Sequence, residues 1–495
     1  MVLSMKSLIP EEALKIYKSG PETVVKVLCE LSEAIVELQR ENQELRIRIS
    51  ELEQKLAKNS RNSSKPPSSD GFKRPMTQSL REKTGRETGG QPGHEGHTLK
   101  MVDDPQHIEW HKVEGVCGCG QSLLNQRAED IERRQVFDIP KIQMTVTEHR
   151  AEIKVCRRCG QVHKGQFPDE VNACVQYGER IKSLVIYLRG YQLLPSQRTA
   201  ELCQELFSCP ISEGTVDTIL RDGSNRLEVP VEQIKEQIKA ARVVNFDETG
   251  MSVNGANHWI HAAGAKDLTH YDIHAKRGAE AINEIGILPA FRGIAVHDAW
   301  APYFQYEQCQ HSLCNAHHLR ELTFIDEELQ QPWAGEMIQC LLKIKQKVEA
   351  AQSASQEHLS PSQIRYYRNR YQMILEKGYA ANPLKDLSDG NRTRGRPKRG
   401  KARCLVQRLD EHRDQALAFM VDFEIPFDNN LAERDVRMAK VRQKISGTFR
   451  SLDMAKAFCR IRSFISTVRK RAFHTMDAIE KIFTDPSALS KIVSV

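Results

Sequence analysis

Two aspartates stand where apolar, β-branched stretches give out: Asp247 in ARVVNFDETG and Asp298 in FRGIAVHDAWAPY. If both stretches are strands of one sheet, their carboxylates can meet at one edge of it. Carboxylates brought together repel unless they share a positive charge, and hard cations such as magnesium or manganese take oxygen ligands of this kind. Two such ions about 4 Å apart can activate a water or hydroxyl and stabilise the leaving oxygen at a phosphodiester. Aspartates at strand ends also form turns and cap helices, so the pair alone does not decide the chemistry. A third carboxylate would complete the set.

The stretch DNNLAERDVRMAKVRQKISGTFRS, 428–451, offers one. It reads as a helix with Asp428 or Asn429 as its N-cap. At about 100° per residue, Leu431, Met438, Val441 and Ile445 form an apolar stripe, read as the core face. Glu433, Arg437, Lys440 and Lys444 form a second stripe. Two readings of it stand. The acid pairs with the cations on a solvated face, at about 0.3–0.5 kcal/mol per pair; or the cations hold nucleic-acid phosphates while Glu433 faces metal ions. Spacing does not choose between them.

The cysteines suggest a second kind of metal chemistry. Cys117-Gly-Cys119-Gly and Cys156-Arg-Arg-Cys159-Gly are thiol pairs followed by glycine, the pattern of zinc knuckles, in which a turn aims two thiolates at one tetrahedral ion. The second pair has the usual two-residue gap. The first has one residue, which strains a shared turn; His163 or His111 could replace a sulfur, and two incidental thiol pairs are the plain alternative. Further on, Cys314 and His317 in CQHSLCNAHHLREL stand three apart at a helix start. They either ligate a metal, structural or accessory, or buttress the sheet as a packed thiol and a hydrogen-bonded histidine.

These residues need elements to position them. Leu28, Leu31, Ile35, Leu38, Asn42, Leu45, Ile49, Leu52 and Leu56 recur in steps of three and four. With isoleucine and one asparagine at a and leucine at d, the pattern predicts a parallel two-stranded coiled coil over 20–57 rather than a helix packed on its own protein. Residues 58–104, rich in Ser, Pro, Gly and cations, read as a basic disordered linker that tethers or lies along phosphates. Short β-type runs frame the cysteine pairs as a zinc-binding module over 105–170. Over 175–240, RTAELCQELF, SCPIS and EGTVDTILRDG have the cadence of a helix-turn-helix-like DNA-binding segment, with Ser212 or Glu213 starting the second helix. Such helix pairs are also common in ordinary folds.

From 243 on, ARVVNFDETG, HWIHAAGA and LTHYDIHA read as strands, GAEAINEIG as a helix and FRGIAVHDAWAPY as a strand. That order matches the start of a ribonuclease-H-like sheet. A helical, lysine-rich stretch follows. The loop NRTRGRPKRGKAR, with Arg394 and Arg396 flanking a glycine, has the shape of a minor-groove insertion motif, although a solvated basic loop explains it as well. The expected fold is therefore multidomain α+β: a coiled coil, a zinc-ribbon-like β module, a helix-turn-helix-like segment and a ribonuclease-H-like α/β domain.

Composition narrows the class. The formal net charge is +7, clustered rather than spread, which favours a polyanionic partner. No run of about 18 apolar residues exists and no secretory signal opens the chain, which excludes a membrane span and points to the cytoplasm, in association with the nucleoid. Thirteen cysteines, an odd number, argue for reduced thiols.

FDETG, VHDAWAPY, CNAHHLREL and PFDNNLAERDVRMAKVRQKISGTFRS together resemble the insertion-sequence-sixty-six family of bacterial DDE transposases. NSSKPPSSD, the zipper and the cysteine-rich segment stand in the family's order, so the likeness covers almost the whole chain. It implies that Asp247, Asp298 and Glu433 are the catalytic carboxylates, holding two magnesium or manganese ions per active site. It implies a DDE catalytic domain over 241–450 with a helical insertion at about 315–425, and a C-terminal helical segment over 451–495. Cys117, Cys119, Cys156 and Cys159 would hold a structural zinc, the short first pair being a departure. Arg437, Lys440 and Lys444 would position the DNA backbone, with Arg394 and Arg396 as further DNA contacts. The implied partners are transposon ends, target DNA and a second copy of the chain; the likeness leaves open whether accessory proteins of the same element take part. The rival readings are a non-catalytic zinc-containing DNA-binding regulator and a ribonuclease-H-like nuclease that only cleaves.

Overall fold

A computed structural model describes residues 9–59, 61–63, 99–384 and 400–494. Arg394 and Arg396, and most of the basic stretch over 58–104, lie outside them. The chain divides into two compact units, one of 1–76, 174–199 and 212–495, the other of 77–173 and 200–211.

The smaller unit is mostly extended chain. Its described strands, β1 (Ile153–Val155) and β2 (Val162–Lys164), pair as an antiparallel hairpin, and the pairing Val155↔Val162 puts Cys156 and Cys159 in the connecting turn. The Cys117 pair sits in a second turn, closed by the Gly120 N–H on the Cys117 carbonyl and an isolated Val116↔Ser122 bridge.

The larger unit begins with helices α1 (Pro10–Lys18) and α2 (Pro21–Leu56). The heptad positions of α2 are exposed: Leu28, Ile35, Leu45 and Ile49 are each more than half accessible, and Asn42 donates to its own Leu38 carbonyl. The helix meets its own protein around its C-terminal end, where Gln54 accepts from Lys401, Ala57 packs on a helical core and Arg61 pairs with Glu327.

Helices α3 (Glu179–Ile186), α4 (Ser196–Phe207), α5 (Glu213–Arg226) and α6 (Glu228–Ala240) come next. Ser212 caps α5, its hydroxyl accepting from the Thr215 N–H, as a serine at that position should. A five-stranded mixed sheet follows, in the order β5-β4-β3-β6-β7. Its strands are β3 (Val243–Val253), β4 (Ala256–Gly264), β5 (Thr269–His274), β6 (Ile294–His297) and β7 (Gln310–Leu313). The first three form an antiparallel meander; β3–β6 and β6–β7 are parallel, with α7 (Ala279–Ile285) in the crossover. Gly293 lets the chain into β6 beside the Ala241 and Arg242 carbonyls, where a Cβ would have no room.

Between the end of β7 and the next strand-covering helix lies a helical subdomain: α8 (Asn315–Glu328), α9 (Pro332–Ser353), α10 (Pro361–Ala381), α11 (Lys401–Glu411) and α12 (Arg413–Ala416). It has its own core around Trp333, Met337, Leu341, Tyr371, Leu405 and Leu409. Helices α13 (Asn430–Ser446) and α14 (Leu452–Lys470) then cover the meander, while α15 (Thr475–Thr484) and α16 (Pro486–Val493) end the chain. Their shared core with the sheet includes Met251, Ile260, Tyr271, Ile273, Val436, Ala439 and Phe458. The edge strand β5 is closed by α14: Ser463 and Thr467, one turn apart, accept the Tyr271 and Thr269 N–H groups at 2.8 and 3.1 Å. Among the described residues, no helix is long and apolar enough to cross a membrane.

Candidate active site

The expectation that Asp247 ends a strand needs correction. It lies inside the eleven-residue β3, paired through Ala262 with β4. What ends near it is the parallel ladder to β6, which covers only Val243 to Asn245. Asp298 follows the last residue of β6, so both aspartates stand just past the point where β3 and β6 part. Ala299 takes up the left-handed conformation at φ 67°, unusual for alanine, and one Asp298 oxygen accepts the Trp300 N–H at 3.0 Å. Asp298 is thus a turn-former as well as a candidate ligand, its second oxygen lying outside that turn.

Asp247 lines a small cavity together with Phe246, Ala262, Ile282 and Tyr303. Burial pushes its carboxyl well above the usual range, and Glu248, Asp298 and Glu433 push the same way through their charges. Glu248, the neighbour in FDETG, has a different job. Its side chain is 2% accessible and held from two sides, by Arg277 at 2.6 Å and by the Tyr303 hydroxyl at 2.5 Å. Arg277 is itself stacked on Trp259 and Trp300, at 4.9 and 4.1 Å from the ring centres. Both of Glu248's oxygens are therefore engaged, and the acid braces the turn that carries Asp298.

Glu433 enters on α13, and here the sequence reading is corrected again. The buried positions of α13 are Ala432, Val436, Ala439 and Arg442; Leu431, Met438 and Val441 are half-buried and Ile445 is 41% accessible. Small residues face the sheet because the helix lies close over β3 and β4, and the larger side chains flank the contact. That turn of the helix sets Glu433 half-buried, and the ions it meets are on α8, not on its own face. Arg320 approaches Glu433 Oε2 at 3.6 Å and His317 Nδ1 approaches Oε1 at 3.7 Å. Burial and the Arg320 charge hold the His317 imidazole below its usual range, so it is neutral at pH 7 and the contact is not an ion pair. Both His317 Nδ1 and Glu433 Oε1 are buried with no hydrogen-bond partner. Arg437, Lys440 and Lys444 are exposed, and Lys440 donates to the Gly250 carbonyl of β3.

Asn429, which the sequence offered only as a cap, does more. Its side chain donates to the Phe246 carbonyl at 2.8 Å and accepts from Asn245 at 2.8 Å, while its N–H donates to Cys314 Sγ at 3.1 Å. Asn429 is the N-cap by position but makes no side-chain cap, and Asp428 accepts the Asn430 N–H instead. One buried side chain therefore ties the start of α13 to the backbone beside Asp247. The other end of α13 is fixed to β3 by Phe449, whose N–H and carbonyl bond Ser252 and Asn254. Asn429→Ala would leave a buried carbonyl and amide unpaired. The expected cost is about 1–3 kcal/mol in denaturant unfolding.

Asp247 feels the charges of Asp298 and Glu433, yet among the described residues the three carboxylates are not a group within 4.8 Å. Two groups of possible ligands are so close: Cys314, His317 and Glu433, and the more exposed His274, Glu280 and Glu284. The donor set nonetheless fits divalent metal ions. A carboxyl raised by burial and by three neighbouring acids, and a buried carboxylate oxygen without a partner, are both satisfied by added positive charge. Asp247 also makes a stability prediction. A carboxyl raised on folding binds protons more tightly folded than unfolded, so stability falls as pH rises from the ordinary aspartate range. Asp247→Asn is expected to raise the thermal midpoint of the metal-stripped protein by about 2–4 °C, more at pH 8 than at pH 5, and magnesium is expected to narrow the gap.

In the cysteine module each pair closes on itself. Backbone N–H groups and the partner thiol lower Cys117, and the backbone around Cys159 and Arg158 lowers Cys156, as knuckle turns do. The four sulfurs are not drawn into one group within 4.8 Å. The residues that sequence reasoning passed over are Asn429, Arg320, Glu248, Arg277 and Tyr303. Arg320 was within reach, being one helical turn after His317 in CNAHHLREL.

Residues 174–457, more than half of the chain, match the model of the Transposase IS66 family. Residues 114–160 match the zinc-finger binding domain of transposase IS66, and residues 21–100 match a family of unknown function. No curated protein matches the chain.

Proposed function

We propose, from the premise that the chain belongs to the IS66 family of transposases, that it binds the two ends of an insertion sequence, cleaves phosphodiester bonds there and joins the freed 3′-hydroxyls to target DNA. Family membership supports a DNA-cleaving enzyme with a zinc-binding, DNA-binding module. The observation that supports the finer reading is that Asp247 and Asp298 stand together where β3 and β6 part, the Asp247 carboxyl being raised by burial and then by the charges of Glu248, Asp298 and Glu433. We read the five-stranded sheet as ribonuclease-H-like, over 241–450, with α8 to α12 as its helical insertion.

Asp247, Asp298 and Glu433 would hold the metal ions, magnesium or manganese and two per site. Bound there, the ions supply charge stabilisation and an activated water or hydroxyl at neutral pH. The protein's share is positioning. Asn429 fixes Glu433 against β3, and the Glu248–Arg277–Tyr303 network fixes the turn that carries Asp298. Arg437, Lys440 and Lys444 neutralise backbone phosphates along α13, with Arg394 and Arg396 as further contacts. Water first hydrolyses the phosphodiester at an element end; the 3′-hydroxyl so freed attacks the target phosphodiester in line, with no covalent enzyme intermediate. Four thiolates, Cys117, Cys119, Cys156 and Cys159, would close on a structural zinc. The exposed heptad stripe of α2 supports a parallel coiled coil that holds two chains, and two ends, together. The segment around α4 and α5 is our candidate for a further DNA contact, and the nucleoid is the expected location.

An assay with labelled element ends, supercoiled target and Mg²⁺ tests this. A transposase yields cleaved ends and joined products. A regulator binds the ends and cuts nothing, and a simple nuclease cuts without joining; either result would displace the proposal.

A further inference from the structure

We propose that Cys314, His317 and Glu433 form a binding site for a thiophilic divalent transition-metal ion of the zinc class, and that occupancy of this site withdraws Glu433 from the catalytic metals. The second half rests on the reading of Glu433 as a catalytic carboxylate; the first does not.

The geometry is specific. One ligand atom from each residue lies within 4.8 Å of the others, on two helix starts that converge. Cys314 is the N-cap of α8, His317 follows in its first turn, and Glu433 lies in the first turn of α13. Burial, and then the Glu433 charge, push the Cys314 thiol up to about 12, so an ion binds there by displacing the thiol proton. Asn429 orients the sulfur through its N–H at 3.1 Å. His317 Nδ1 and Glu433 Oε1 are both buried and without a hydrogen-bond partner, a cost that an ion between them removes. Arg320 occupies the side of Oε2, so it balances Glu433 without filling the place of an ion at Oε1.

The donor set selects the ion. Magnesium takes oxygen and keeps its water; a thiol and an imidazole with one carboxylate suit zinc, which binds through three protein ligands and leaves one position open. Because Glu433 has one free oxygen, it serves the thiophilic ion or the magnesium pair. Free zinc would therefore restrain cleavage, and Cys314 would be the residue that makes the enzyme sensitive to it.

The test uses the full-length protein and zinc chloride alone. Wild type, Cys314→Ser and His317→Gln are saturated with zinc, freed of excess and assayed for zinc per chain by elemental analysis. The cysteine module contributes equally to all three. Wild type is expected to retain one zinc per chain more than either variant, with the same difference in a Cys156→Ser background; equal zinc contents overturn the site. His317→Gln keeps the test open if Cys314→Ser fails to fold. In magnesium-supported end cleavage, each protein normalised to its own zinc-free rate, Cys314→Ser is expected to need at least about tenfold more zinc for half inhibition. Identical zinc sensitivity, with the stoichiometric difference intact, overturns the competition. If Glu433→Gln cleaves like wild type, the catalytic reading fails, while the zinc content of Cys314→Ser still decides the site.

Discussion

Asp298→Asn is expected to leave binding of element ends within about twofold of wild type and to lower magnesium-dependent cleavage by about a thousandfold or more. The asymmetry follows from where the residue sits. Asp298 stands just past β6 in a turn whose conformation is set by Ala299 and by the Trp300 N–H. An asparagine keeps that turn, because its carbonyl oxygen accepts the same hydrogen bond. Only the negative charge is lost. A stable fold with lost cleavage assigns the effect to that charge, and a circular dichroism melt within about 2 °C of wild type is the control. A fall in end binding that matched the fall in cleavage would instead mark Asp298 as a structural residue.

The second large effect is expected at the other end of the chain. If the proposed coiled-coil dimer forms, Leu38→Lys with Leu45→Lys should turn it into a monomer in analytical ultracentrifugation and abolish the proposed pairing of two ends. Each leucine is about half exposed in the single chain and lies at a d position of the heptad. Four such side chains per dimer, at about 1.5–3 kcal/mol each, account for about 6 kcal/mol or more, which is about four orders of magnitude in association. Asn42→Leu is the complementary variant: it should tighten association while loosening the choice of register and chain number. A double variant that still sediments as a dimer would place the self-contact elsewhere in the molecule.

The parts of the fold that are legible in the sequence are those decided locally. The heptad steps of α2, the β4–β5 hairpin, α7 ending at left-handed Gly286 and the serine before α5 each rest on periodicity or on one turn residue. The site is less legible because it is made by tertiary contact. Asp247 looks like a strand end since the apolar run stops there, but β3 continues as a hairpin arm that has less need of apolar residues. The apolar stripe of α13 misleads for a related reason: the sheet lies so close that alanines, not leucines, fill the contact. Glu433 has cations one turn away on its own helix, yet the residues it meets are on α8, more than a hundred positions earlier. No periodicity carries that information. Asn429 is likewise visible as a cap in the sequence and as a cross-tie only in three dimensions.

Glu433 is either a metal ligand beside Asp247 and Asp298 or one acid among cations. The most direct measurement is strand transfer with pre-cleaved element ends carrying free 3′-hydroxyls, in Mg²⁺, comparing wild type with Glu433→Gln. Starting from pre-cleaved ends removes the first step, and glutamine keeps the shape while removing the charge. The account predicts that both proteins assemble the ends and that only wild type joins them to target. Joining by Glu433→Gln at the wild-type rate would contradict it.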